Sequence, residues 1–198
     1  MSQQIRNTGA NDLINLLKPM VVTVFILLGG LIHIQRIGMQ TKVDGFSMYP
    51  TLSSGDRIYV DKRAYRKELP QRGDIVVFQS DESATGYFVK RVIGMPGEVI
   101  TIDAFGILYI DGKPQEDLYG YGVMQTGGLA TMGVKVNEGE YFVLGDNRNN
   151  SEDSRFPAVG NVALDKIVGK TDLRLFPIVK FGDIELYRER KEGRNEQE

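Results

Sequence analysis

The chain contains no cysteine in its 198 residues, which excludes disulfides, thiolate nucleophiles and cysteine-held zinc and suits an exported or surface-exposed bacterial domain. Histidine is nearly absent as well. The only one, His33, lies inside an apolar run, so a serine nucleophile elsewhere would need a base other than imidazole. Neither charge sign is in excess: 24 Lys and Arg against 26 Asp and Glu give a net charge of −2 and no electrostatic footprint for nucleic acid. Downstream of Arg57 there is no long helical pattern, and no second long apolar run follows the first.

That first apolar run is Pro19 to Gln35, uncharged and bracketed by Lys18 and Arg36. It is short for a bilayer span, but the flanking cations can snorkel and Leu13 to Leu17 extend the apolar length. One transmembrane anchor is the expectation. A cleaved signal peptide and a buried core helix are the alternatives; the first lacks a small-x-small site after the run, and nothing downstream has the length to cover the second. Basic residues on the two sides nearly balance, so charge does not set the orientation.

From Arg57 the period changes. RIYV, DIVVF, YFVKRVI, EVITI, ILYI, YFVLG and KIVGK are short runs rich in β-branched and aromatic residues, separated by Gly, Pro and Asp clusters. The chain is expected to be mostly β, an antiparallel sandwich or barrel without crossover helices. Asp111-Gly112 after Ile107 to Ile110 signals a hairpin, because both central residues of a type I′ turn need positive φ. GMPGE at Gly94 to Glu98 is a turn and not a phosphate loop. Leu118 to Gly133 has five glycines in sixteen residues and predicts a mobile surface loop. The tail from Tyr187 to Glu198 has eight charged residues in twelve and predicts a solvated, disordered end.

Three stretches carry chemistry. In DGFSMYPTL, Ser47 sits between Phe46 and Met48, with Gly45 before it and Pro50 after it holding the segment away from helix, as a rigidly presented hydroxyl would require. A strand-end serine bonded within its own loop accounts equally well for an isolated S-x-x-P. In YFVKRVIGMPGE, strand alternation puts Lys90 on one face with Phe88 and Val92, where desolvation lowers an amine's pKa and makes it a base. A sheet-edge lysine with its head in water is the alternative. In VLGDNRNNSEDSRFPAVG the density of short polar side chains suits a hydrogen-bonded loop. Its oxygen donors miss the calcium-loop spacing, so no metal or cofactor is expected.

Together, GFSMYPTL, RGDIVVF, VKRVIGMPGE and GDNRNNSEDSR resemble, in order and spacing, the successive boxes of the type I signal peptidases, membrane-bound Ser/Lys proteases that remove signal peptides from exported proteins. The resemblance covers residues 41 to about 177. It implies Ser47 as nucleophile and Lys90 as general base. It further implies that Ser151 orients the lysine, that Asp153 and Arg155 form an ion pair bracing their loop, and that Asp146 pairs with Arg91. The oxyanion hole would use the backbone N–H of Ser47. Some members place a serine hydroxyl two residues before the nucleophile; this chain has Gly45 there. Cleavage after small-x-small sites is implied, with an extended peptide adding to strand edges near the dyad. Phe46, Met48 and Tyr49 could meet the lipid interface, and core packing explains them equally well.

The resemblance thus implies a signal-peptidase-like β domain over residues 41–186, preceded by a cytoplasmic N-terminus and membrane anchor (1–40) and followed by the tail (187–198). The enzyme would be a single-pass protein of the bacterial cell membrane with its catalytic domain outside. Its partners would be signal-peptide-bearing preproteins and membrane lipid, with no nucleic acid; the sequence leaves oligomeric state open. A second reading is a specialised or non-catalytic relative serving pilin or surface-protein assembly, and retention of Ser47 and Lys90 argues against inactivity. A third, a self-cleaving repressor of the same superfamily, would need an N-terminal DNA-binding domain where this chain has its apolar run.

Overall fold

The computed structural model describes residues 17–30, 37–80 and 86–184, in two compact units that divide between Ile37 and Gly38. The N-terminal unit contributes a helix over residues 17–30 whose large apolar side chains, Phe25 and Ile26 among them, are exposed. Among the described residues no helix is long and apolar enough to cross a membrane. The rest of the expected span, residues 31–35, lies outside the described residues, as do residues 1–16 and the tail 187–198.

The mostly-β expectation is borne out in the second unit. Its strands are β1 (Gly38–Lys42), β2 (Arg57–Asp61), β3 (Ile75–Gln79), β4 (Tyr87–Gly94), β5 (Val99–Ile102), β6 (Leu108–Ile110), β7 (Lys113–Pro114), β8 (Val134–Lys135), β9 (Glu140–Leu144), β10 (Val162–Ala163), β11 (Ile167–Phe176) and β12 (Gly182–Asp183). They form an antiparallel 8-stranded sheet ordered β1-β2-β11-β3-β4-β9-β10, with β12 also on β11, and an antiparallel 4-stranded sheet ordered β7-β6-β5-β8. The hairpin at Asp111-Gly112 forms as expected, with φ of 50° and 74° and Ile110 paired with Lys113. Positive φ at both residues is the type I′ turn, whose twist matches that of strands joined so tightly.

Alternation divides the core. On β3, Ile75 and Val77 face a cluster with Met48, Leu52, Ile58 and Val60, whereas Val76 and Phe78 face one with Val92, Tyr141 and Val143. The large sheet is therefore covered on both faces, which is why IVVF reads as a continuous apolar run. A third cluster joins Ile93, Phe142 and Leu144 of the large sheet to Ile100, Ile102, Leu108 and Ile110 of the small one. Strand β4 touches all three of these cores, and it carries the lysine.

Candidate active site

Ser47 lies in the turn that follows β1. Gly45 enters this turn at a φ of 87°, and the Leu52 N–H then donates to the Met48 carbonyl at 2.8 Å. Met48 and Leu52 are fully buried while Phe46 and Tyr49 are exposed, so burial of Met48 and Leu52 anchors the turn that holds the half-buried Ser47 at the surface. Lys90, mid-way along β4, pairs in register with Val76, and its side chain is only 3% exposed. Its Nζ donates to Ser47 Oγ at 2.8 Å and stands 4.7 Å from the centre of the Phe88 ring. Burial lowers the ammonium pKa to about 8, although the carboxylates of Asp153, Glu152 and Asp146 pull the other way. Desolvation outweighs them because Lys90 shares its face of β4 with Phe88 and Val92 and pairs with Val76 of β3, whose side chains join one apolar cluster.

The polar loop 145–155 closes the site from the other side. The Asn147 N–H donates to the Ser47 carbonyl at 2.9 Å and the Asn147 side chain to the Phe46 carbonyl at 3.2 Å. Asp146, fully buried, accepts Arg91 Nε and Nη2 at 2.9 and 2.8 Å and the Thr51 hydroxyl at 2.5 Å. Asp153 accepts Arg155 Nε and Nη2 at 2.8 and 2.9 Å and the Gly145 N–H at 3.1 Å. Gly145 is required where it stands: a Cβ there would strike Ser151 Oγ and the Ser47 carbonyl oxygen. Ser151 is thus beside the nucleophile's backbone. Its buried Oγ makes no hydrogen bond, to Lys90 or to any other described group.

The glycine-rich segment is less free than its composition suggests. Tyr121 N–H donates to the Asp146 carbonyl at 2.7 Å, Asn149 bonds Gln125 N–H and the Val123 carbonyl, and Arg155 Nη1 donates to the Thr126 carbonyl at 3.0 Å. Asp117, just before it, pairs with buried Arg148, whose Nε donates to the Gly145 carbonyl at 2.9 Å. The Tyr119 ring lies 3.9 Å from the Arg91 guanidinium carbon. The expected mobile loop is a strap across the polar loop, its glycines allowing the backbone to lie close. Reasoning from the sequence missed Thr51, Asn147 and Arg148 as supports. Their signal was position alone, within two residues of Pro50 or Asp146.

Ser47 and Lys90 open into a cleft of about 350 Å³ walled by residues 41–48 and 87–90, with Asn150 and Glu152 on its margin. Among the described residues no group of three His, Cys, Asp or Glu is placed to hold a metal ion. A hydroxyl bonded to a buried amine whose pKa is lowered, at the wall of an open cleft, is chemically equipped for nucleophilic attack.

Comparison with known proteins defines the class. The family described as signal peptidase, peptidase S26, matches residues 13–176, and the chain belongs to that family. Among relatives, signal peptidase I T of Bacillus subtilis is 44% identical over 68% of this chain and 72% of its own. A probable signal peptidase I-1 of Synechocystis is 39% identical over 70% and 71%. A probable signal peptidase I-2 of the same organism is 33% identical over 91% and 81%. A crystallised signal peptidase I of Enterococcus faecalis V583 is 32% identical, with a TM-score of 0.42, covering 52% of this chain and 97% of that one.

Proposed function

We propose that this protein is a serine endopeptidase that removes signal peptides from exported preproteins, with Ser47 as nucleophile and Lys90 as general base. The contact between Lys90 Nζ and Ser47 Oγ at 2.8 Å in an apolar surround carries this reading. With Lys90 neutral, the serine hydroxyl donates to the amine, which takes the proton as Oγ attacks the scissile carbonyl. The resulting ammonium then gives the proton to the leaving amine, the role imidazolium plays in a triad. The Ser47 N–H is the oxyanion donor in this scheme. Asp146 with Arg91 and Thr51, and Asp153 with Arg155, act on Ser47 through the backbone, and Ser151 stands ready beside it.

Small-x-small selectivity follows if an extended peptide joins the strand edges that wall the cleft, since alternate side chains then face one wall. Membrane attachment through the N-terminal apolar segment would bring the cleft to emerging signal peptides, and a catalytic domain on the outer side would meet them after translocation. The relatives' names support the substrate class; precursors of pilins or surface proteins fall within it. The test is cleavage of a peptide bearing an Ala-x-Ala site by the full chain in detergent. Cutting after the second alanine is expected, with Ser47→Ala inactive and folded. Equal turnover by Ser47→Ala would overturn the assignment.

A further inference from the structure

The cleft carries charges that the proposed chemistry does not use. Lys42, Asp44 and Glu152 all line it and are all exposed. The other carboxylates of the polar loop are committed, Asp146 to Arg91 and Thr51, Asp153 to Arg155 and the Gly145 N–H. Glu152 differs. Among the described residues no hydrogen bond or ion pair engages its carboxylate, although it follows Ser151 directly and shares the cleft with Ser47. Its field reaches the reacting centre, since it is one of three carboxylates that oppose the burial-driven fall in the Lys90 pKa. With Lys90 neutral and ready to act, Lys42, Asp44 and Glu152 leave the cleft with one net negative charge. A peptide with its scissile carbonyl at Ser47 Oγ lies in that field.

We infer that Glu152 is a specificity-determining residue whose carboxylate, reinforced by Asp44, favours substrates with lysine or arginine beside the scissile bond and disfavours aspartate or glutamate there. This rests on the endopeptidase reading and extends it, because small pockets choose the anchor residues whereas Glu152 acts on neighbours whose side chains stay in water. One exposed charge pair gives a preference of roughly threefold to tenfold, and added salt weakens it.

The test uses peptides with an Ala-x-Ala site carrying a single lysine, glutamine or aspartate at x or at either of the first two positions after the cut. The ratio of kcat/KM for the lysine and aspartate forms is compared within each enzyme, which removes any general change in activity. The full-length wild type is expected to favour lysine at one or more positions. Glu152→Gln should shrink that preference at least about threefold, and Glu152→Lys should invert it. As a second readout, the acidic limb of the pH profile should move to lower pH in Glu152→Gln, because a charge holding Lys90 protonated is gone; Asp153, Asp146, Asp44 and Lys42 remain. An unchanged ratio at every position, with the glutamine peptides still cut, would overturn this inference alone. Failure of the wild type to cut any peptide would instead overturn the endopeptidase reading beneath it.

Discussion

Thr51 gives its hydroxyl to Asp146 at 2.5 Å across 95 residues of sequence, so one carboxylate fastens the nucleophile turn to the polar loop while also holding Arg91. All three side chains are buried. The attachment is ionic and dry, which makes its parts unequal. Asp146→Ala leaves the buried Arg91 guanidinium without its carboxylate and should cost about 3–5 kcal/mol, whereas Thr51→Val loses one hydrogen bond to a charged group and should cost about 1.5–3 kcal/mol. Urea unfolding of the two variants measures this order. A Thr51→Val loss as large as that of Asp146→Ala would show that the turn, and not the ion pair, dominates.

Gly145→Ala tests the spacing of the same loop. The added methyl would meet Ser151 Oγ and the Ser47 carbonyl oxygen, so the loop must retreat from the nucleophile. Because a misplacement of about 1 Å in a reacting group costs on the order of a hundredfold, kcat should fall about that far. The melting temperature should fall only a few degrees. Near-normal kcat would mean that the polar loop can shift without moving Ser47.

Lys90 also bears on stability. Its folded pKa, about 8, lies below the unfolded value of 10.5. Below about pH 8 both states hold the proton and the cost of burying the charge is full. Between about 8 and 10.5 the unfolded chain binds more protons, so stability rises with pH there; above 10.5 the cost is gone. Lys90→Met should therefore be inactive yet more stable at pH 7, by at most about 3 kcal/mol, with a flatter rise between pH 8 and 10.5. Thermal melts of both proteins across that range would show it. A less stable Lys90→Met at pH 7 would mean that the amine's bond to Ser47 outweighs its desolvation.

Local physics made much of this architecture legible in advance. The runs from RIYV to KIVGK became strands because alternation and β-branching are properties of the segment itself, and Asp111-Gly112 declared its turn through φ alone. Lys90 could be placed on an apolar face by counting in twos from Phe88 and Val92. Contacts made across the chain were not legible from the residues. Arg174 reaches the carbonyl of Thr51, 123 residues away, and pairs with Asp56 at 3.0 Å, yet nothing near position 174 marks it. The strap from Leu118 to Gly133 looked loose because glycine content reports backbone freedom, whereas its hydrogen bonds to Asp146, Asn149 and Arg155 belong to the partner loop.

The claim that a buried lysine activates Ser47 is tested most directly by the pH dependence of kcat/KM on an uncharged Ala-x-Ala peptide. A single acidic limb with a midpoint near pH 8 is expected, with activity falling tenfold for each pH unit below it and no turnover by Lys90→Arg, whose guanidinium stays protonated. A limb still rising at pH 10, or substantial turnover by Lys90→Ala, would contradict it.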